Sequence, residues 1–131
     1  MKIQEFINKK NKYKIDYNYQ RPVDVWSNQD NQCFIDTILR GEPIPMFFFN
    51  AKTDEEGNMV YYIVDGQQRL NCIRKFYDNK IKLSSKFSEE KYDGCTFNGD
   101  KCIPEELQDK FLDYDLKVHI VEDYDDERVR M

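Results

Sequence analysis

The apolar residues near the start of the chain alternate with polar ones, which predicts a strand. The alternating positions, over 12–20, are Tyr13, Ile15, Tyr17 and Tyr19. This is the period of a half-buried strand. Pro22 then holds Arg21 in extended geometry and ends regular strand pairing.

A helix is predicted next. Ser27 with Asp30 three positions later is typical of a helix N-cap. The apolar residues that follow have helical spacing: Cys33, Phe34, Ile35, Ile38 and Leu39. Gly41 is expected to close this helix, and two nearby prolines prevent its continuation.

Two short apolar runs, 46–49 and 59–64, predict a pair of buried strands joined as a hairpin through the polar segment 52–58. The run Phe47-Phe48-Phe49 is expected to lie wholly in the core. Directly after the second strand comes Asp65-Gly66-Gln67-Gln68-Arg69, followed by apolar residues at helical spacing: Leu70, Ile73, Phe76 and Tyr77. The pentapeptide is therefore predicted to form a strand-to-helix turn.

The last third of the chain is less regular. Residues 84–103 predict a loop with a short strand at 95–97, because Gly94 and Gly99 interrupt the pattern. A helix is expected to open at Pro104, with acidic residues in its first turn, and a strand is expected at 116–121. The acidic segment 125–131 resembles the first turn of a further helix, so the chain is expected to be cut short.

Composition narrows the protein class. A chain of 131 residues with 40% hydrophobic and 34% charged residues predicts a single folded domain, 1–131. Without a run of about 20 apolar residues or a signal sequence, the chain is expected to be cytoplasmic, with no membrane partner. Four cysteines without a Cys-x-x-Cys pair, and one histidine, disfavour zinc and favour reduced, buried thiols.

The charge is unevenly distributed along the chain. Its net value of −5 argues against a general nucleic-acid coat. Six basic residues nevertheless stand against two acids over 1–21, whereas seven acids stand against one lysine over 113–127. An anion site near the N-terminus, and DNA contact through Lys9, Lys10, Lys12 and Lys14, therefore stay open.

The turn after the second hairpin strand is the main candidate site. A strand-to-helix turn directs several backbone N–H groups at one point, and Gly66 would let an anion approach closely. Arg69 could hold phosphate oxygens, and Gln67 and Gln68 could donate hydrogen bonds to phosphate, ribose or base. Asp65 could hold hydrated Mg²⁺, accept from a ribose hydroxyl, or orient Arg69 or a water. The alternative is that Asp65 is only a helix N-cap and the polar residues a solvated helix start.

Three residues outside the turn have side chains that suit the same chemistry. Arg21, at a strand end before a rigid turn, is the second cation expected at the site, with stacking on an aromatic neighbour as the alternative. Trp26 is expected to be a partial core anchor rather than a platform for a base. His119 is expected to have a structural or surface role, because no nucleophile motif accompanies it. Neither a P-loop nor a Gly-x-Gly-x-x-Gly fingerprint is present in the sequence.

An ordered set of motifs carries a family resemblance. The motifs are Tyr19-Gln20-Arg21-Pro22, Trp26-Ser27, Phe34-Ile35-Asp36-Thr37-Ile38-Leu39-Arg40-Gly41, Pro43-Ile44-Pro45 and Val64-Asp65-Gly66-Gln67-Gln68-Arg69-Leu70. Together they resemble the DGQQR domain at the N-terminus of GmrSD-type, modification-dependent restriction proteins, within the ParB/sulfiredoxin-like superfamily. The strong part covers about residues 17–76, and a weaker part covers 103–121.

The resemblance implies an α+β fold, a small mixed sheet with flanking helices. It makes Asp65, Gly66, Gln67, Gln68 and Arg69, with Arg21, candidates to bind a nucleoside triphosphate with Mg²⁺. Asp65 and Arg69 are then the catalytic candidates for NTP hydrolysis, which stays an open further step. Sulfiredoxin activity does not carry over, because Gln67 stands where the reactive cysteine would be.

The implied role is that of a regulatory domain in restriction or phage defence. An effector or nuclease domain is expected in a continuation of the chain or in a partner, because family members usually extend beyond the equivalent of Met131. A DNA-binding or docking module is the alternative. Phosphodiester cleavage at the same turn is a further one, disfavoured because the sequence offers no cluster of metal ligands.

Overall fold

A four-stranded mixed sheet organises the protein. The computed structural model describes residues 1–15 and 26–122. The strands are β1 (Tyr13–Ile15), β2 (Phe47–Thr53), β3 (Met59–Asp65) and β4 (Val118–Glu122). The α-helices are α1 (Ile3–Asn8), α2 (Asn28–Leu39), α3 (Gln67–Tyr77) and α4 (Glu105–Asp113), with short 3-10 helices at Lys10–Lys12 and Glu90–Tyr92. The predicted α+β class, a mixed sheet with flanking helices, is confirmed.

The strand order is β1-β3-β2-β4. β2 and β3 form the predicted antiparallel hairpin, whereas β1 runs parallel to β3 and β4 runs parallel to β2. The hairpin turn is closed by Asp54, whose carboxylate accepts from the N–H groups of Glu56 and Asn58 at 2.9 and 2.8 Å. Because β2 runs antiparallel to β3 and parallel to β4, β3 ends at the side of the sheet where β2 and β4 begin.

The core lies between one face of the sheet and the helices. Phe47, Phe49 and Ile63 from the sheet are buried together with Ile35 and Ile73 from the helices. Phe48 is 40% exposed, so the prediction that all three phenylalanines lie in the core is wrong at this residue. Successive side chains of a strand point to opposite faces, and the helices pack against the face that Phe47 and Phe49 occupy.

Helix boundaries follow the predicted signals closely. Ser27 is the N-cap of α2: its hydroxyl accepts from the Asp30 N–H at 3.1 Å, and its own N–H donates to the Asp30 carboxylate at 2.9 Å. Gly41 follows α2 with a φ of 75°, as expected for a closing glycine. The helix predicted from Pro104 is α4, although Pro104 is its N-cap and lies just outside the first turn.

Several elements differ from the predictions, and two predicted segments lie at least partly outside the described residues. The predicted strand at 95–97 is absent among the described residues, which place there only an isolated bridge between Thr96 and Cys102. The sequence does not predict helix α1, because its six residues hold only three apolar positions: Ile3 and Phe6, which are fully buried, and Ile7, which is partly buried. The strand predicted over 12–20 is observed as Tyr13–Ile15, while 16–20 and the helix start predicted at 125–131 lie outside the described residues.

The cysteines are free thiols but only two are buried. Cys72 and Cys95 agree with the prediction, whereas Cys33 and Cys102 are exposed, so the prediction is wrong for that pair. Burial raises the pKa of the Cys72 thiol to about 12. None of the helices in the described ranges combines the length and the apolar character that crossing a membrane requires.

Replacing the α2 N-cap tests the helix assignment. Ser27→Ala removes the acceptor for the Asp30 N–H and is expected to lower the free energy of unfolding by about 1 kcal/mol. Ser27→Thr keeps the acceptor oxygen and should cost clearly less. Urea unfolding followed by circular dichroism measures both. Equal losses in the two variants would show that the hydroxyl does not cap the helix.

Candidate functional site

The predicted turn lies where β3 gives way to α3. Asp65 is the last residue of β3 and Gly66 is the N-cap of α3, which begins at Gln67. Asp65 pairs with Phe48 near the start of β2, and the N–H of Phe47 donates to the carbonyl of Lys117 just before β4, at 2.9 Å. The turn therefore sits beside the starting ends of two strands.

Gly66 has two structural reasons to be glycine. Its φ of 110° lies in the left-handed region that residues with side chains avoid. A Cβ at this position would lie 2.3 Å from Cδ1 of the Phe47 ring, far inside van der Waals contact. Close packing on Phe47 therefore requires glycine at position 66. This requirement adds to the predicted one, which is that an anion can approach the turn closely.

The first turn of α3 has free backbone donors. Leu70 donates to the carbonyl of Gly66 at 3.0 Å and makes the first intrahelical bond. Within the described residues the N–H groups of Gln67, Gln68 and Arg69 have no acceptor, as is general for the first turn of a helix, and Gly66 has no side chain to cap any of them. No acidic residue stands in this first turn, unlike the first turns of α2 and α4. The positive end of the helix dipole is therefore uncompensated from within the helix.

Arg69 connects the turn to the loop before β2. Its guanidinium donates to the carbonyl of Pro45 and to that of Met46, the latter at 3.3 Å. Its Cζ lies 4.2 Å from the centroid of the Phe47 ring, a cation–π contact. Its side chain is 12% exposed, and burial lowers its pKa while Asp65, with Oδ2 at 3.9 Å, opposes that change. Arg69 stays charged and held in place.

Asp65 has a different environment from Arg69. Its side chain is 66% exposed, and it does not cap α3, so the alternative that Asp65 is only an N-cap is wrong. Gln67 and Gln68 are half-buried. The structure thus brings five of the six predicted site residues together, from Asp65 to Arg69. Arg21 lies outside the described residues; the last described residue of β1, Ile15, pairs with Ile63.

The backbone partners of Arg69 were not predicted from the sequence. The sequence indicates Pro45 as a residue that prevents helix continuation and as part of a family motif, whereas the structure shows that its carbonyl accepts from the guanidinium. Phe47 was assigned to the core without its contact to Arg69. A carbonyl acceptor carries no residue-type signal, because every residue has one.

The remaining candidates have the expected structural roles. Trp26 is half-buried against the core with its ring 5.3 Å from that of Phe34, which confirms it as a partial anchor. His119 is exposed on β4 and lies 5.6 Å from the Phe48 ring. In the described part of the chain, no three His, Cys, Asp or Glu side chains group closely enough to hold a metal by themselves.

A family model identifies the domain. Residues 3–129 match the model described as GmrSD restriction endonuclease, N-terminal domain. The chain belongs to this family. Neither the curated proteins nor the solved structures include one that matches it. Membership confirms the resemblance carried by the motifs and supports a role of this GmrSD-type domain in restriction and phage defence.

Substituting Gly66 should be far more costly than substituting another glycine with positive φ. Gly66→Ala combines left-handed strain with overlap on Phe47 and is expected to lower the free energy of unfolding by about 2–4 kcal/mol. Gly57→Ala is the matched control, because Gly57 has a φ of 85° and nothing within 4 Å of an added Cβ. It should cost only about 1–2 kcal/mol. Denaturant unfolding compares them, and equal losses would contradict the packing on Phe47.

Arg69 is expected to stabilise the fold as well as the site. Arg69→Ala removes a largely buried side chain that packs on the Phe47 ring and donates to two carbonyls, and should lower the free energy of unfolding by about 2 kcal/mol. Arg40→Ala is the control: Arg40 also donates to a carbonyl, that of Phe87 at 2.9 Å, but its side chain is 56% exposed. Arg40→Ala should lower the free energy of unfolding by only about 1 kcal/mol. A smaller loss for Arg69→Ala than for Arg40→Ala would refute the role of Arg69 in the fold.

Proposed function

We propose that the turn from Asp65 to Arg69 binds the phosphates of a nucleoside triphosphate, and that nucleotide binding regulates the restriction protein to which this domain belongs. The observation that carries the proposal is the set of unaccepted N–H groups at the start of α3. Backbone N–H groups at a helix start, next to a glycine, form a common phosphate site.

Two positive groups at the turn favour an anion, and the Asp65 carboxylate beside Arg69 opposes them in part. The helix dipole contributes the equivalent of about half a positive charge at its N-terminus. Arg69 adds a full charge that two carbonyls and the Phe47 ring hold in place. A preorganised charge needs little reorganisation when phosphate binds. Arg69 acts here as a fixed cation behind the turn, while the Gln67 and Gln68 side chains remain available as donors.

Asp65 fits a role in holding Mg²⁺. Mg²⁺ at nucleotide sites keeps several waters and binds one or two carboxylates together with substrate phosphates. The carboxylate of Asp65 is exposed beside the phosphate-binding turn, so it can contact a hydrated ion or position a water. The metal, when bound, supplies charge neutralisation at the phosphates. Arg21 is proposed as the second cation of the site.

Hydrolysis is the further step of the proposal. A water oriented by the Asp65 carboxylate, which would take up its proton, would attack the terminal phosphorus. The new P–O bond would form as the bond to the bridging oxygen breaks, which releases inorganic phosphate and a nucleoside diphosphate. Arg69 and Arg21 would stabilise the negative charge on the transferred phosphoryl oxygens and on the leaving group. Cutting of DNA is assigned to a further effector domain or a partner protein, which nucleotide binding would control.

Adding a negative charge to the first turn of α3 tests the phosphate site. With Mg²⁺ and each of ATP, GTP, CTP and UTP, at least one nucleotide at about 100 times its Kd should stabilise the folded protein by about 2.7 kcal/mol. Gln68→Glu should abolish this stabilisation by repelling phosphate, although an acid at this position favours the free helix. Thermal unfolding, with and without nucleotide, measures both effects.

The control variant carries the same Gln-to-Glu change at the second residue of another helix, α2. Gln29 is the second residue of α2, as Gln68 is of α3. Gln29→Glu should leave the stabilisation by nucleotide unchanged. The proposal is refuted if no triphosphate stabilises the unmodified protein, or if Gln68→Glu and Gln29→Glu respond alike.

A further inference from the structure

A cleft lies between α1 and the sheet, apart from the Asp65–Arg69 turn. This cleft has a volume of about 200 Å³. The lining residues come from the first 13 residues, from β2 and β3, and from β4: Met1, Glu5, Lys9, Lys12, Tyr13, Phe49, Tyr61, Val118 and Ile120. None of them belongs to the Asp65–Arg69 turn. Along β3, Tyr61 is about 13 Å from Asp65, since each strand residue advances about 3.3 Å.

The floor of the cleft is aromatic and aliphatic. The rings of Tyr13 and Tyr61 stack with centroids 5.5 Å apart and an interplanar angle of 21°. Phe49 supports Tyr13 from β2, also at 5.5 Å. On β4, Val118 is half-buried, and Ile120 is 46% exposed although it faces the cleft. Such a floor offers flat and apolar contact to a ring compound.

The rim of the cleft is positively charged. Lys9 and Lys12 are exposed, and no carboxylate of the described residues lies within salt-bridge distance of either. Glu5 is the one acidic lining residue, and its carboxylate accepts from the backbone N–H of Lys2 at 3.4 Å as part of the α1 cap. Two cations against one engaged carboxylate favour an anionic group at the opening.

The volume restricts what can enter. An apolar cavity of about 150 Å³ holds one benzene molecule. A cleft of about 200 Å³ therefore has room for one small ring system and not for a sugar and a phosphate as well. A ligand that carries a flat ring and a separate phosphate would place the ring inside and the phosphate at the lysine rim.

We propose that this cleft binds a single nucleotide unit, with its base against Tyr61, Val118 and Ile120 and its 5′-phosphate at Lys9 and Lys12. The unit comes from a free nucleotide or from a single strand of DNA, which share this chemistry. Sequence-tolerant contact between bases and aromatic side chains, together with lysine contact to phosphate, is the usual basis of single-strand binding. The site is independent of the triphosphate site at the Asp65–Arg69 turn.

The test follows the methyl resonances of Val118 and Ile120 by NMR in the whole protein. The probes are thymidine 5′-monophosphate, thymidine and a short oligothymidylate. The monophosphate should shift both methyl resonances and should bind about tenfold more tightly than the nucleoside, because only the former can contact the lysines. The double variant Lys9→Glu and Lys12→Glu should lose this preference, so that both compounds bind with similar weak affinity.

A matched double variant separates local from general charge effects. Lys80→Glu and Lys82→Glu change the net charge equally but do not line the cleft, and should keep the preference for monophosphate. If binding of the monophosphate depends on Lys9 and Lys12, the result supports a free nucleotide as ligand. If only binding of the oligonucleotide depends on these lysines, the result supports a DNA strand. Absence of methyl shifts with every probe, or equal responses of the two double variants, overturns the proposal. Gln68→Glu should not alter these shifts, so the two sites can fail separately.

Discussion

The guanidinium of Arg69 lies on the Phe47 ring and donates to the carbonyls of Pro45 and Met46. This contact joins the first turn of α3 to the loop that precedes β2, two segments more than twenty residues apart in the chain. Phe47 is fully buried, so the ring that supports Arg69 is itself fixed by the core. The turn is therefore positioned by packing and by charge-assisted hydrogen bonds together.

Gly66 packs against the same Phe47 ring as Arg69 does. Close approach of its backbone to Phe47 leaves no room for a side chain, and its left-handed conformation turns the chain from β3 into α3. A residue without a side chain cannot cap the helix. All three N–H groups of the first turn thus stay available to a ligand, whereas in α2 the Ser27 hydroxyl accepts from one of them, that of Asp30. The same close packing that fixes the turn leaves its donors without a side-chain cap.

Much of this architecture follows from local sequence signals. The hairpin, α2, α3 and α4 carry strong periodicity or explicit caps, such as Ser27 with Asp30, and these elements are found where predicted, except that β2 extends to Thr53 and not only to the end of the apolar run at 49. The motif from Asp65 to Arg69 also indicated the strand-to-helix turn. This turn can be recognised without knowledge of distant residues, because the strand, the glycine and the helix are consecutive in the sequence.

The remaining features depend on contacts that no local pattern records. Phe48 was assigned to the core because an apolar run does not show which face of a strand the helices cover. Helix α1 has six residues and too few apolar positions for a periodic signal. The partners of Arg69 are backbone carbonyls, which any sequence could provide, so its structural role was not foreseen.

The central claim is that phosphate binds to the N–H groups at the start of α3. Amide spectra of ¹⁵N-labelled protein, titrated with tripolyphosphate and Mg²⁺, test it without any contribution from a base. The amides of Gly66, Gln67, Gln68 and Arg69 should shift together and saturate, while the capped start of α2 at Ser27 should not respond. Shifts confined to other regions, or no saturating change at α3, would contradict the claim.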